Sequence, residues 1–176
     1  MPETRTITNL PAPPERVWAV LTDFAGYERW HPLLRVSGEA SPGGQIRYSR
    51  RLSLKSNRWI TVDADIVDLA EPARLAWRQG VRRIFATDES FELEAAGTGT
   101  RLTHVMRNSG LLAVVFAALS KRKNKASMDL FDGLIARALS KERLREGEAF
   151  DPRTRHSKPR AAGARSRRRG RSRRKT

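Results

Sequence analysis

The feature that most constrains this chain is a change of hydrophobic period. From Val36 to Asn108 the sequence is a series of short runs in which apolar and polar residues alternate, each closed by a turn signal. From Leu111 onward the apolar residues recur every three or four positions instead. Alternation belongs to strands with one buried face, and the longer period belongs to a helix with one buried stripe. Many alternating runs in succession predict an antiparallel sheet with one face solvated. One long helix across the other face would bury both apolar surfaces.

The runs assign faces. Gln45 to Leu54 places Ile46, Tyr48, Leu52 and Leu54 together, and Trp59 to Leu69 sets Ile60, Val62, Ala64 and Ile66 against Thr61, Asp63 and Asp65. Arg74 to Gln79 alternates around Leu75 and Trp77. Phe85 to Ala95 puts Phe91 and Leu93 opposite Glu92 and Glu94, and Thr100 to Asn108 puts Leu102, His104 and Met106 opposite Thr103, Val105 and Arg107. Upstream, Thr4 to Leu10 reads as a first strand. Pro13 and Pro14 suit the first turn of a helix, where the N–H groups have no partner to lose. Val17, Trp18, Val20, Leu21 and Phe24 follow at helical spacing, and Tyr27 to Trp30 forms a second short helix closed by Pro32. The final helix is expected from Leu111 to about Leu144, with a break near Lys121 to Lys125. Its stripe is Met128, Phe131, Leu134, Ile135, Ala138 and Leu139.

Length and charge set the domain division. The chain has 176 residues and a net charge of +16, of which residues 151–176 carry +11. That division predicts one domain over 1–148 and a disordered Arg-rich basic tail over 149–176. There is no cysteine, which excludes a disulfide framework, a thiolate metal site and a cysteine nucleophile. The longest apolar run, Leu111 to Leu119, is too short to span a bilayer, and the N-terminus lacks a signal-peptide pattern. The expected location is cytoplasmic. Neither G-x-G-x-x-G nor a P-loop is present, and no cofactor or metal is expected.

The opening segment carries a resemblance. Ala12-Pro13-Pro14-Glu15-Arg16-Val17-Trp18, then Leu21-Thr22-Asp23-Phe24, then Tyr27-Glu28-Arg29-Trp30-His31-Pro32 resemble the start of SRPBCC/START superfamily proteins, in the bacterial polyketide cyclase/dehydrase-like branch. Arg74-Leu75-Ala76-Trp77, Ser90-Phe91-Glu92-Leu93, Thr100-Arg101-Leu102-Thr103-His104 and Ser109-Gly110-Leu111-Leu112 follow in the family's order. The resemblance implies an α+β helix-grip fold: a curved seven-stranded antiparallel sheet around a long C-terminal helix, with two short helices after the first strand. It also implies a cavity between sheet and helix for an apolar small molecule such as a lipid, polyketide or aromatic metabolite. No catalytic motif transfers with it.

Combining pattern and resemblance, the ligand-binding set is Tyr48, Leu52, Val62, Ile66, Trp77, Phe91, Leu93, Leu102, His104, Met106, Met128 and Phe131. These should line a mostly enclosed pocket of a few hundred Å³. His104 is the one catalytic candidate, because a histidine among apolar neighbours can hydrogen-bond a ligand or move a proton. The bland alternative is a core histidine satisfied by Tyr48 or a backbone carbonyl. His31 is read as structural or exposed, and Asp63, Asp65 and Asp68 as a solvated face. Three functions stay open: a binding or carrier protein, a cyclase/aromatase-type enzyme using His104 and Tyr48, and a chaperone-cofactor or nucleic-acid-tethered module. For the last, Arg167, Arg168, Arg169, Arg171, Arg173 and Arg174 would contact nucleic acid or another polyanion through charge alone.

Overall fold

The first strand leads directly into two short helices, and everything after them is meander and one long helix. The structure, a computed structural model, describes residues 3–51, 54–81 and 83–149. Strand β1 (Glu3–Leu10) precedes helix α1 (Pro14–Thr22), one 3-10 turn (Phe24–Gly26) and α2 (Tyr27–Trp30). Strands β2 (Leu34–Ser37), β3 (Gln45–Arg51), β4 (Trp59–Ala70), β5 (Arg74–Val81), β6 (Phe85–Ala96) and β7 (Gly99–Ser109) follow, then α3 (Leu111–Ala149). The seven strands form one antiparallel sheet in the order β1-β7-β6-β5-β4-β3-β2. β1 therefore closes against the last strand rather than the second. A register shift in β4 between Ile66 and Asp68 falls midway along the sheet, where an extra residue increases local twist.

Local chemistry fixes the helical segments. α1 starts at Pro14 and buries Val17, Trp18 and Leu21. Thr100 donates to the Ala12 carbonyl at 2.7 Å, tying the start of α1 to β7. The Tyr27 hydroxyl donates to the Leu21 carbonyl at 2.8 Å and holds α2 against α1. Trp18 is buried, while Trp30 is partly buried and packs on Phe131 with ring centroids 5.2 Å apart.

α3 crosses the concave face. Met128, Phe131, Ile135 and Leu139 are buried, with Leu134 and Ala138 partly so. The helix runs unbroken through Lys121 to Lys125, where the sequence predicts a break. None of these five residues is Gly or Pro, so nothing in that stretch interrupts the backbone ladder. Two sheet assignments also change. Leu54 is exposed because β3 ends at Arg51, and Ile60 is exposed at the start of β4. Both positions lie at the β3–β4 hairpin end, where pairing closes at Arg51 opposite Trp59. His31 is buried rather than exposed. Asp63 and Asp65 sit on the solvated face as expected, Asp63 with Arg47 at 3.7 Å. No helix among the described residues is long and apolar enough to cross a membrane.

Candidate functional site

Register brings an acid and a base to the centre of the concave face. Glu89 on β6 lies opposite Trp77 on β5 and Met106 on β7, while His104 on β7 lies opposite Phe91 and Thr6. Paired residues on adjacent strands share a face. Glu89, Phe91 and His104 therefore point toward α3, which contributes Asp132 one residue after Phe131.

The result is a closed polar chain inside an apolar core. His104 Nε2 is 3.0 Å from Glu89 Oε1, and His104 Nδ1 is 2.9 Å from Asp132 Oδ1. The second Glu89 oxygen accepts from the Trp77 indole at 3.1 Å. The second Asp132 oxygen accepts from the Thr6 hydroxyl at 2.6 Å and the Thr8 hydroxyl at 3.2 Å. An indole N–H can only donate. Every carboxyl oxygen thus receives a donor when His104 donates from both nitrogens, as an imidazolium does. Burial works against that charge, but the hydrogen bonds and charges of Asp132 and Glu89 outweigh it and push His104 up to about 9. The ring stacks on Phe91, centroids 4.3 Å apart, and has no exposed surface.

Glu89 links this chain to an opening. A cavity of about 500 Å³ lies between α3 and the β2–β3 side of the sheet. It is lined by His31, Leu33, Leu34, Tyr48, Arg50, Glu89, Lys123, Ala126, Ser127, Leu130 and Phe131. Burial first, and the Arg50 cation second, lower His31 to about 4, so its imidazole is neutral. Its Nδ1 accepts from the Leu33 N–H at 3.3 Å. Burial and the Glu89 charge push the Tyr48 phenol well up. Among the described residues no partner takes the Tyr48 hydroxyl, and no buried side-chain polar atom lacks a partner. The free hydroxyl therefore opens onto the cavity.

A larger groove, about 720 Å³, runs between α1 and α3 past Val20, Trp30, Leu134 and Ala138. None of its lining residues is buried, whereas His31, Leu34, Tyr48, Glu89 and Phe131 in the smaller cavity all are. Buried polar groups facing a cavity are what a recognition site needs, so chemistry favours the smaller one.

Of the sequence-derived ligand set, Tyr48 and Phe131 line this mouth. Ile66, Trp77, Phe91, Leu93, Leu102, His104, Met106 and Met128 are buried in the core behind it, Val62 is partly buried, and Leu52 lies outside the described residues. So do Arg167, Arg168, Arg169, Arg171, Arg173 and Arg174. His104 is satisfied by Glu89 and Asp132, not by Tyr48 or a backbone carbonyl. Both acids are absent from the sequence-derived site, yet each had a signal. Glu89 is in phase with Phe91 and Leu93, and Asp132 falls on the helical stripe of Met128, Phe131, Ile135 and Leu139. Among the described residues no group of three or more His, Cys, Asp and Glu is placed to hold a metal.

With the geometry in view, comparison with known proteins decides the family. The sequence profile described as "Polyketide cyclase / dehydrase and lipid transport" matches residues 1–145. The chain belongs to this polyketide cyclase/dehydrase and lipid-transport family. A search of curated proteins finds no match. Among solved structures, DynU16, from the dynemicin biosynthetic locus, shares 21% identity at a TM-score of 0.61, over 80% of this chain and 48% of its own. The chain thus spans about half the length of DynU16. Protein MLL2253 of Mesorhizobium loti shares 14% identity at a TM-score of 0.64, over 79% of this chain and 97% of its own. Ara h 8.0201 shares 14% identity at a TM-score of 0.55, over 76% and 96%. These likenesses are of fold, and they place this family member among helix-grip proteins.

Proposed function

We propose that this domain binds an apolar small molecule at the mouth between α3 and the β2–β3 side of the sheet. The observation that carries the reading is the cavity of about 500 Å³ in which buried Tyr48, Leu34 and Phe131 form a wall and Glu89 a polar floor. Its size suits a small ligand, and its make-up is that of ligand sites generally: mostly apolar walls with a few oriented polar groups. The family description, naming cyclases, dehydrases and lipid transport, supports the same class. Ligand contacts fall on Tyr48 and Phe131, with Trp77, Phe91, His104 and the rest of the core packed as the wall behind. The test is a fluorescence titration with the uncharged probe N-phenylnaphthylamine. Parent protein should bind it. Ala126→Trp, at an exposed mouth position, should weaken binding without lowering the melting temperature.

One observation favours a second reading, a cyclase-type enzyme. Glu89 both lines the mouth and hydrogen-bonds His104. A carboxylate so placed can take a proton from a bound ligand, with the imidazolium steadying its charge. His104 acts through Glu89 and does not reach the ligand. Under this reading a short poly-β-ketone thioester should cyclise faster with parent protein than with Glu89→Gln, compared at concentrations that saturate each protein with substrate. Equal rates would reject it.

A further inference from the structure

Most charges on the strands are ion-paired; among the described residues Arg5, Arg50, Arg51 and Asp65 are not, and of these Arg50 alone lines the mouth. Arg35 meets Glu28 at 3.1 Å, Arg47 meets Asp63 at 3.7 Å, Arg74 meets Asp68 at 3.0 Å, Arg78 meets Asp88 at 2.5 Å and Arg107 meets Glu3 at 2.7 Å. Arg50 lines the mouth, and among the described residues no carboxylate pairs with it. Lys123, contributed by α3, lines the same cavity and also has none. The neighbouring Lys125, by contrast, pairs with Asp129 at 2.5 Å. Arg50 acts on the mouth's interior: after burial, its charge is the main influence holding His31 neutral. The Tyr48 hydroxyl adds a free donor to the same cavity.

We propose that the ligand is an apolar acid, with its anion between Arg50 and Lys123 and its hydrophobic body against Leu34, Leu130 and Phe131. This rests on the mouth being the ligand site. The polarity of the cavity gives the direction. Glu89 repels a second anion from the floor, so the acid group stays at the rim and the apolar part enters. A cationic ligand meets two uncompensated positive charges on the way in. Arg50 and Lys123 are both exposed, so each alone attracts an anion weakly, and the two acting on one anion add.

The test uses a matched pair of probes, anilinonaphthalene sulfonate and uncharged N-phenylnaphthylamine, which share an aromatic body and differ by the sulfonate. At low salt the full chain should bind the sulfonate about tenfold more tightly, a gap of about 1.4 kcal/mol, and the gap should narrow as salt rises. The double variant Arg50→Gln/Lys123→Gln should bind both probes equally, the gap closing through loss of affinity for the sulfonate. Equal binding of the two probes by the parent would overturn the acid assignment and leave the mouth standing as an apolar site. A preference that survives in the double variant would come from the rest of the basic chain and would also overturn it. Failure of both probes to bind, or binding untouched by Ala126→Trp, would reject the mouth itself.

Discussion

The two ends of the concave face treat the same side chain in opposite ways. At the sealed end His104 lies between two carboxylates and is pushed up to about 9. At the open end His31 is buried near the Arg50 cation and lowered to about 4. Both rings have lost water, so desolvation alone cannot separate them. Partners do: two acids over-compensate the cost of the charge at one end, and a cation adds to it at the other. The sealed end has every polar atom matched, while the open end leaves Tyr48, Arg50 and Lys123 unmatched. Matched groups hold the fold together, and unmatched ones at a cavity are available to a ligand.

The largest expected effect breaks the sealed end. Asp132→Ala leaves His104 buried with one acid and should cost about 3–5 kcal/mol. In a domain of this size that lowers the melting temperature by about 10 °C. A shift of a degree or two by calorimetry would show that the buried chain contributes little.

Next comes pH. Folded His104 keeps its proton to about pH 9, whereas the unfolded chain releases it near 6.5. Its contribution is complete below pH 6.5 and is lost as pH rises to about 9, on the order of 3 kcal/mol in all. His31 works in the other direction. The unfolded chain takes up its proton below about 6.5 and the folded one only near 4, so stability falls as pH drops through that window. Urea unfolding at stepped pH should therefore give highest stability near pH 6.5 where these two groups are concerned. His31→Asn should flatten part of the acid side and leave the alkaline side unchanged. Constant stability from pH 6.5 to 9 would contradict the charged His104.

The contrast also explains what the sequence made legible. The period change at Leu111 and the alternation of each strand were enough for the sheet, the long helix and the burial of Trp77, Phe91, Leu102 and His104. Alternation tells which face a residue takes, but not how far along the strand the covering helix reaches. Leu54 and Ile60 were therefore misplaced. Glu89 and Asp132 were hidden for a different reason. Acids are read as solvent-facing by default, and their partner lies 15 and 28 residues away in sequence. Only the fold brings them to one imidazole. The mouth depends on Lys123 and Ala126 of α3 standing across from β3, and no local pattern encodes that crossing.

Smaller effects sharpen the open end. Arg50→Gln and Lys123→Gln, alone or together, should shift stability by no more than about 0.5 kcal/mol, because neither breaks an ion pair among the described residues. A larger loss in urea unfolding would show that these cations belong to the fold. The smallest effect on stability should come from deleting residues 151–176, with the melting temperature unchanged. If the tail holds polyanions by charge, the full chain should bind an arbitrary duplex more weakly as salt rises, and the same deletion should remove most of that binding. Equal duplex binding by both proteins would shift that role to the domain surface.

The most direct measurement is a crystal structure of the protein grown with N-phenylnaphthylamine. The account predicts the probe's rings in the mouth, against Tyr48 and Phe131 and beneath Arg50. A probe seated instead in the α1–α3 groove beside Val20, Trp30 and Leu134, with the mouth empty, would contradict it.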